Sequence, residues 1–76
     1  MAIKNHFMRQ WNQKEAKENR RITLTEISEE TGVGWGTVNR WKRADIDRFD
    51  ASVLSAFCAY FECGVGDLLE YLPDEN

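Results

Sequence analysis

The stretch from Thr23 to Arg43, TLTEISEETGVGWGTVNRWKR, constrains the fold more than any other part of this chain. Thr23 precedes Glu26 by the spacing of a capping box, in which a threonine hydroxyl and a glutamate carboxylate each take an orphan N–H at a helix start. Leu24 and Ile27 then fall on one side, with Glu29 and Glu30 pointing away, which predicts a short amphipathic helix. Gly32 ends it, because glycine takes the positive φ of a helix C-terminus without steric cost. After the turn Thr31-Gly32-Val33, Gly34 serves as N-cap of a second helix. Val38 and Trp41 give that helix a narrow apolar seam against the first, leaving Asn39, Arg40 and Arg43 on its outer face.

The flanking segments supply the rest of a helical domain. From Ile3 to about Lys17, the apolar residues Ile3, Phe7 and Trp11 recur every four positions with no Gly or Pro between them, so a first helix is expected there. His6 and Met8 flank its stripe, and a lone histidine in that place is more often a partly covered surface residue than a ligand. Asn19 can end the helix, and Arg20 and Arg21 follow it. After Arg43 comes a loop from Ala44 to Phe49, whose Asp45 and Asp47 are offset by Arg48. Asp50 reads as an N-cap, because Ala51, Leu54, Phe57, Cys58 and Phe61 repeat at helical spacing up to a stop at Glu62 or Cys63. In the tail CGVGDLLEYLPDEN, the leucines Leu68, Leu69 and Leu72 predict a two-turn fifth helix that Pro73 stops.

At 76 residues the chain makes one domain, spanning 1–76, with a single small core. No apolar run approaches the ~18 residues of a membrane span, and the N-terminus lacks the apolar run and cleavage site of a signal peptide, so a cytoplasmic location is expected. Cys58 and Cys63 have one histidine, far away in sequence, which is neither a zinc spacing nor a disulfide framework. They read as a small core residue and a helix-end filler, and no metal, cofactor or small-molecule ligand is expected. The chain has no nucleophile grouping, P-loop or dinucleotide fingerprint, so no enzyme is expected either. Its net charge of −3 is unevenly spread. Residues 1–43 hold nine Lys and Arg against five acids, a balance of +4, whereas residues 44–76 hold Arg48 against eight acids, a balance of −7.

The capped helix, the Gly32-Val33 turn and the second helix with Thr37, Val38, Arg40 and Trp41 resemble the helix-turn-helix of the lambda-repressor-like or Cro-repressor family, also called XRE-type. The ending Asp67-Leu68-Leu69-Glu70-Tyr71 resembles that of many short repressors of the same kind, so the likeness runs from Ile3 to about Leu72. The resemblance implies an all-α domain of five short helices, with the helix-turn-helix, about residues 23–43, formed by helices two and three. It also implies a sequence-specific DNA-binding transcriptional regulator, a repressor, that pairs as a homodimer and reads the major groove with a recognition helix at about 35–43. The basic half would then face DNA and the acidic half turn away.

Under that resemblance each basic or polar residue of the region takes a role. Arg40 is the candidate for bidentate guanine contact, and Asn39 bonds adenine or a phosphate. Thr37, Lys42 and Arg43 position phosphates, and bare Gly36 lets the backbone come close. Thr23, Arg21 and Arg48 complete the expected DNA-binding set. For Arg20 and Arg21, phosphate contact and solvated linker charge are equal alternatives. Trp35 also has two readings: packing on the seam beside Val38, the commoner fate of a tryptophan, or facing the groove, its ring covering thymine methyls or sugar and its indole N–H donating to a phosphate.

Three positions of the helix-turn-helix depart from the family pattern. Leu24 stands where a phosphate-binding glutamine is common, Gly34 where serine is common, and Lys42 where an acid often pairs with an arginine of helix one. Glu62 stands where relatives often carry glycine, which implies a left-handed backbone or a differently shaped cap. The rival reading is a protein-interaction module on the same fold, an anti-repressor or antitoxin-like partner that uses the acidic half.

Overall fold

The computed structural model describes residues 2–46 and 48–73, so Asp47 of the acidic loop lies outside the described residues. The element order is β1 (Ala2–Asn5), α1 (Phe7–Glu18), α2 (Leu24–Thr31), α3 (Trp35–Lys42), α4 (Ala51–Phe61), α5 (Val65–Leu68) and β2 (Leu69–Leu72). The five expected helices are present, and α2 and α3 form the helix-turn-helix. A small antiparallel sheet of β1 and β2 accompanies them, and it changes both ends of the expected chain trace.

At the N-terminal end, Ile3 is not the first residue of the apolar helical stripe. It lies in β1 opposite Tyr71, and α1 begins only at Phe7. Asn5 sets that boundary, because its Oδ1 accepts the Phe7 N–H at 2.6 Å and so takes one of the orphan donors of the first turn. At the C-terminal end, the two-turn helix is a single turn, and Leu69 has extended backbone, with φ −125° and ψ 144°. A helix of two turns at a chain end is marginal in water, whereas a ladder with β1 satisfies the same backbone groups. The register pairs Ala2 with Leu72, Ile3 with Tyr71, Lys4 with Glu70, and Asn5 with Leu69. The His6 N–H continues the ladder by donating to the Leu68 carbonyl at 2.8 Å.

Phe7 is the hub of the core. Fully buried at the start of α1, its ring centroid lies 4.9 Å from Phe57, 5.4 Å from Phe61, 5.8 Å from Trp11 and 6.0 Å from Trp41. Three helices therefore meet on one ring, in tilted and edge-to-face arrangements that aromatic quadrupoles favour. Ile22, Ile27, Val33, Val38 and Leu68 fill the space around this aromatic cluster. The Trp11 indole N–H donates to the Ile22 carbonyl at 3.0 Å, and Glu15 accepts the Ile22 N–H at 2.8 Å. Through those two bonds α1 fixes the segment that leads into α2.

His6 is buried at 7% exposure, contrary to the surface position expected of it, and its Nε2 lies 2.7 Å from Glu70 Oε1. That contact holds the Glu70 carboxyl below its ordinary range. Asn19, Ala44 and Glu62 have positive φ, of 53°, 58° and 55°. Each is followed by an N–H that reaches back to a carbonyl of the preceding helix: Arg20 to Glu15, Asp45 to Arg40, and Cys63 to Cys58. This is the Schellman closure. Glu62 thus takes the left-handed backbone, the first of the two alternatives that its place in the family pattern left open. Cys58 and Cys63 are half-buried, and burial pushes the Cys63 thiol up to about 11, leaving it protonated at neutral pH.

Candidate nucleic-acid interface

Local chemistry builds the helix-turn-helix much as the sequence implies. Thr23 has extended backbone, and its Oγ1 accepts the Glu26 N–H at 3.1 Å. The reciprocal half of the expected capping box is replaced. The Glu26 carboxylate instead takes the Arg20 guanidinium, at 3.0 Å to Nη1 and 2.6 Å to Nη2, because an opposite charge close by outcompetes a neutral N–H. Gly32 closes α2 with φ 77°, its N–H donating to Ser28. Two side chains then knit the turn: the Ser28 hydroxyl donates to the Val33 carbonyl at 2.7 Å, and Thr31 Oγ1 accepts the Val33 N–H at 3.2 Å. Gly34 is the N-cap of α3 and offers no side-chain bond.

Val38 and Trp41 bury the inner side of α3. Two further contacts fix the far end of that helix. Asn5 Nδ2 donates to the Trp41 carbonyl at 3.1 Å, and the Phe49 ring packs edge-on to Trp41 at 5.8 Å. Lys42, which stands where an acid often pairs with a helix-one arginine, places its ammonium 5.8 Å from the Trp11 ring centroid. A cation over an aromatic face there replaces the ion pair of the family pattern.

With the inner side buried, α3 exposes Gly36, Arg40 and Lys42, with Arg43 just past its end, and leaves Thr37 and Asn39 half-buried. Trp35 is 54% exposed, so the commoner fate of a tryptophan does not apply to it. The physical reason is angular: at roughly 100° per residue, Trp35 sits about a quarter-turn away from the middle of the Val38–Trp41 seam.

The structure gathers the remaining expected residues into two flanks. On one, Arg21 and Lys42 line a single shallow depression of about 250 Å³ with Met8, Trp11 and Asn12. On the other, Thr37, Arg40 and Arg48 line a pocket of about 120 Å³ together with Ile46 and Asp50. Thr23 lines neither, and its hydroxyl oxygen is occupied as a cap. Both linker arginines are exposed, but Arg20 is held by Glu26 and Glu18 whereas Arg21 opens onto the depression it shares with Lys42. One neighbour escaped the sequence reading: Ser52, in the first turn of α4, shares a depression with Gly34 and Thr37. Only the tertiary fold brings it there.

A family model for the Cro/C1-type HTH DNA-binding domain matches residues 14–74. The chain belongs to this family. The chain is similar to YozG of Bacillus subtilis (strain 168), an uncharacterized HTH-type transcriptional regulator. It is 35% identical over 57 residues, which cover 75% of this chain and 68% of YozG. The Cro/C1-type match spans α2, α3 and the turn between them, and leaves β1 and the start of α1 outside. No helix among the described residues is long and apolar enough to cross a membrane.

Proposed function

We propose that this protein is a sequence-specific DNA-binding transcriptional regulator, acting as a repressor, that inserts α3 into the major groove. The observation that carries the reading is the division of α3 in a chain of the Cro/C1-type family. One side is locked into the core by Val38 and Trp41, and the other offers Trp35, Gly36, Asn39, Arg40 and Arg43 to the outside. The flanks suit phosphates: Arg21 and Lys42 share one depression, and Thr37 and Arg48 share the other with Arg40. Arg40 reads guanine and Asn39 reads adenine, since an arginine fork matches the two acceptors of guanine and a side-chain amide matches the acceptor and donor of adenine. Thr23 contributes through its hydroxyl, whose oxygen accepts the Glu26 N–H while its proton stays available to donate to a phosphate.

The partner is a second copy of the chain on a two-fold operator. Ile3, Val65, Tyr71 and Leu72 are large apolar side chains left exposed on β1, α5 and β2, and a second copy would cover them. Pairing also lets two small domains read two half-sites at once.

A gel shift against a pool of genomic fragments at two salt concentrations tests the proposal. Binding must fall steeply as salt rises, because each neutralised phosphate releases counterions. Failure to shift any fragment at low salt refutes it. That outcome would favour a protein-binding module using the acidic residues 44–76, whose balance of −7 is the observation on its side.

A further inference from the structure

We infer that Trp35 makes this protein selective for thymine, its indole packing on the 5-methyl group of a thymine in the major groove. The inference rests on the proposed entry of α3 into that groove and names what one residue of it recognises. Trp35 is the first residue of α3, the end of a recognition helix that meets base edges. An exposed indole there gains most by covering apolar surface, its N–H remaining free to donate to a phosphate.

Among the described residues, more than half of that ring is left uncovered, at 54% exposure. Gly34 and Gly36 stand on either side of Trp35 and add no side chain against it. The other large apolar side chains at least half exposed among the described residues, Val65 and Tyr71, belong to α5 and β2. At roughly 100° per residue, Gly36 points away from the buried Val38–Trp41 seam, and Trp35 shares one flank with Asn39. The outermost point of the first turn is therefore bare backbone. It can approach base edges closely, which carries the indole alongside them.

What the groove presents decides the ligand. Every base edge shows a donor or acceptor that an indole face would desolvate without pairing, thymine O4 included, but thymine alone adds an apolar methyl group for the ring to cover. With Asn39 on the same flank, the stripe suits a thymine beside an adenine.

The test selects duplexes from a randomised DNA pool with the full chain, then replaces each thymine of the selected duplex by uracil, which lacks only the methyl group. The wild-type protein should lose about three- to fivefold in affinity at a contacted position, the worth of one buried methyl group. Trp35→Ala should bind the thymine and uracil duplexes equally, closing a cycle whose coupling belongs to the ring and the methyl. Two results overturn the inference while leaving DNA reading intact: no thymine position sensitive to uracil in the wild-type protein, or an equal loss on both duplexes for Trp35→Ala. The wild-type comparison stands even if the variant folds poorly, though an exposed position predicts unchanged thermal melting. Selection of no duplex at all overturns the DNA reading, and this inference with it.

Discussion

Two residues on either side of α3 probe one conformational quantity with opposite signs. Gly32, before the helix, has φ 77°, and Ala44, after it, has φ 58°. Left-handed backbone costs an L-residue roughly 1–2 kcal/mol that glycine does not incur. Against this, glycine loses about 0.4–1 kcal/mol more backbone freedom on folding. Ala44→Gly should therefore stabilise the domain by about 0.5–1 kcal/mol, and Gly32→Ala should destabilise it by about the same amount. Sterics do not confuse the comparison, since a Cβ on Gly32 finds nothing within 4 Å and the Ala44 side chain is exposed. For a domain of this size, the midpoints should move in opposite directions by about 2–8 °C. Urea and thermal melts followed by far-ultraviolet circular dichroism at fixed protein concentration measure both. Equal signs for the two substitutions would refute the assignment of cost to backbone conformation.

Gly36→Ala should raise stability by about 1 kcal/mol, because the residue is inside α3 and its Cβ has open space, yet lower affinity for operator DNA by intruding on the groove face; a melt and a titration check the two halves. Arg40→Ala should cost about 1–3 kcal/mol on the operator and little on random duplex, whereas Arg43→Ala should weaken both alike and reduce the salt slope by about one; equal losses for Arg40→Ala would remove its base-reading role. Replacing Ile3 and Tyr71 together by glutamate should leave a monomer that binds operator DNA weakly, and light scattering showing the wild-type chain monomeric with and without DNA would end the dimer proposal. Asp50 caps α4 by accepting from the Ser52 hydroxyl and N–H, and these bonds hold its pKa below the ordinary value. Its contribution is complete above the unfolded pKa and is lost as pH falls through the lower folded one, so Asp50→Asn should flatten the acid limb of stability against pH.

The parts of this fold that are visible in its sequence are those decided within one turn of chain. Gly32 forces a helix end, Asp50 starts a helix, and Val38 with Trp41 marks a buried side, because each signal and its structural partner lie within a few residues. The ribbon was invisible for the opposite reason: Ile3 gains its strand from Tyr71, across almost the whole chain. The spacing of Phe7 and Trp11 is a true helical stripe, with which Ile3 falls in step by coincidence, and Asn5 is the sign of where α1 begins. His6 looked like a surface residue because the carboxylate beside it, Glu70, comes from the other end of the sequence. At the candidate interface, a helical wheel places Arg40 and Asn39 outward, but average burial misleads for Trp35, whose angle from the seam and glycine neighbours outweigh its type. Which cations share a depression, as Arg21 and Lys42 do, is set by tertiary packing alone.

The pairing of Ala2–Asn5 with Leu69–Leu72 also bears on the order in which the fold assembles, because the two strands are separated by all five helices. Until they meet, their backbone groups are satisfied by water, while the short-range contacts within the helix-turn-helix can already form. Joining such distant segments incurs a large loop-closure entropy, which earlier collapse of the helices around Phe7 would diminish. The ribbon is then expected to close late, so variants that loosen it should accelerate unfolding and leave the folding rate nearly untouched, which stopped-flow refolding and unfolding rates would check.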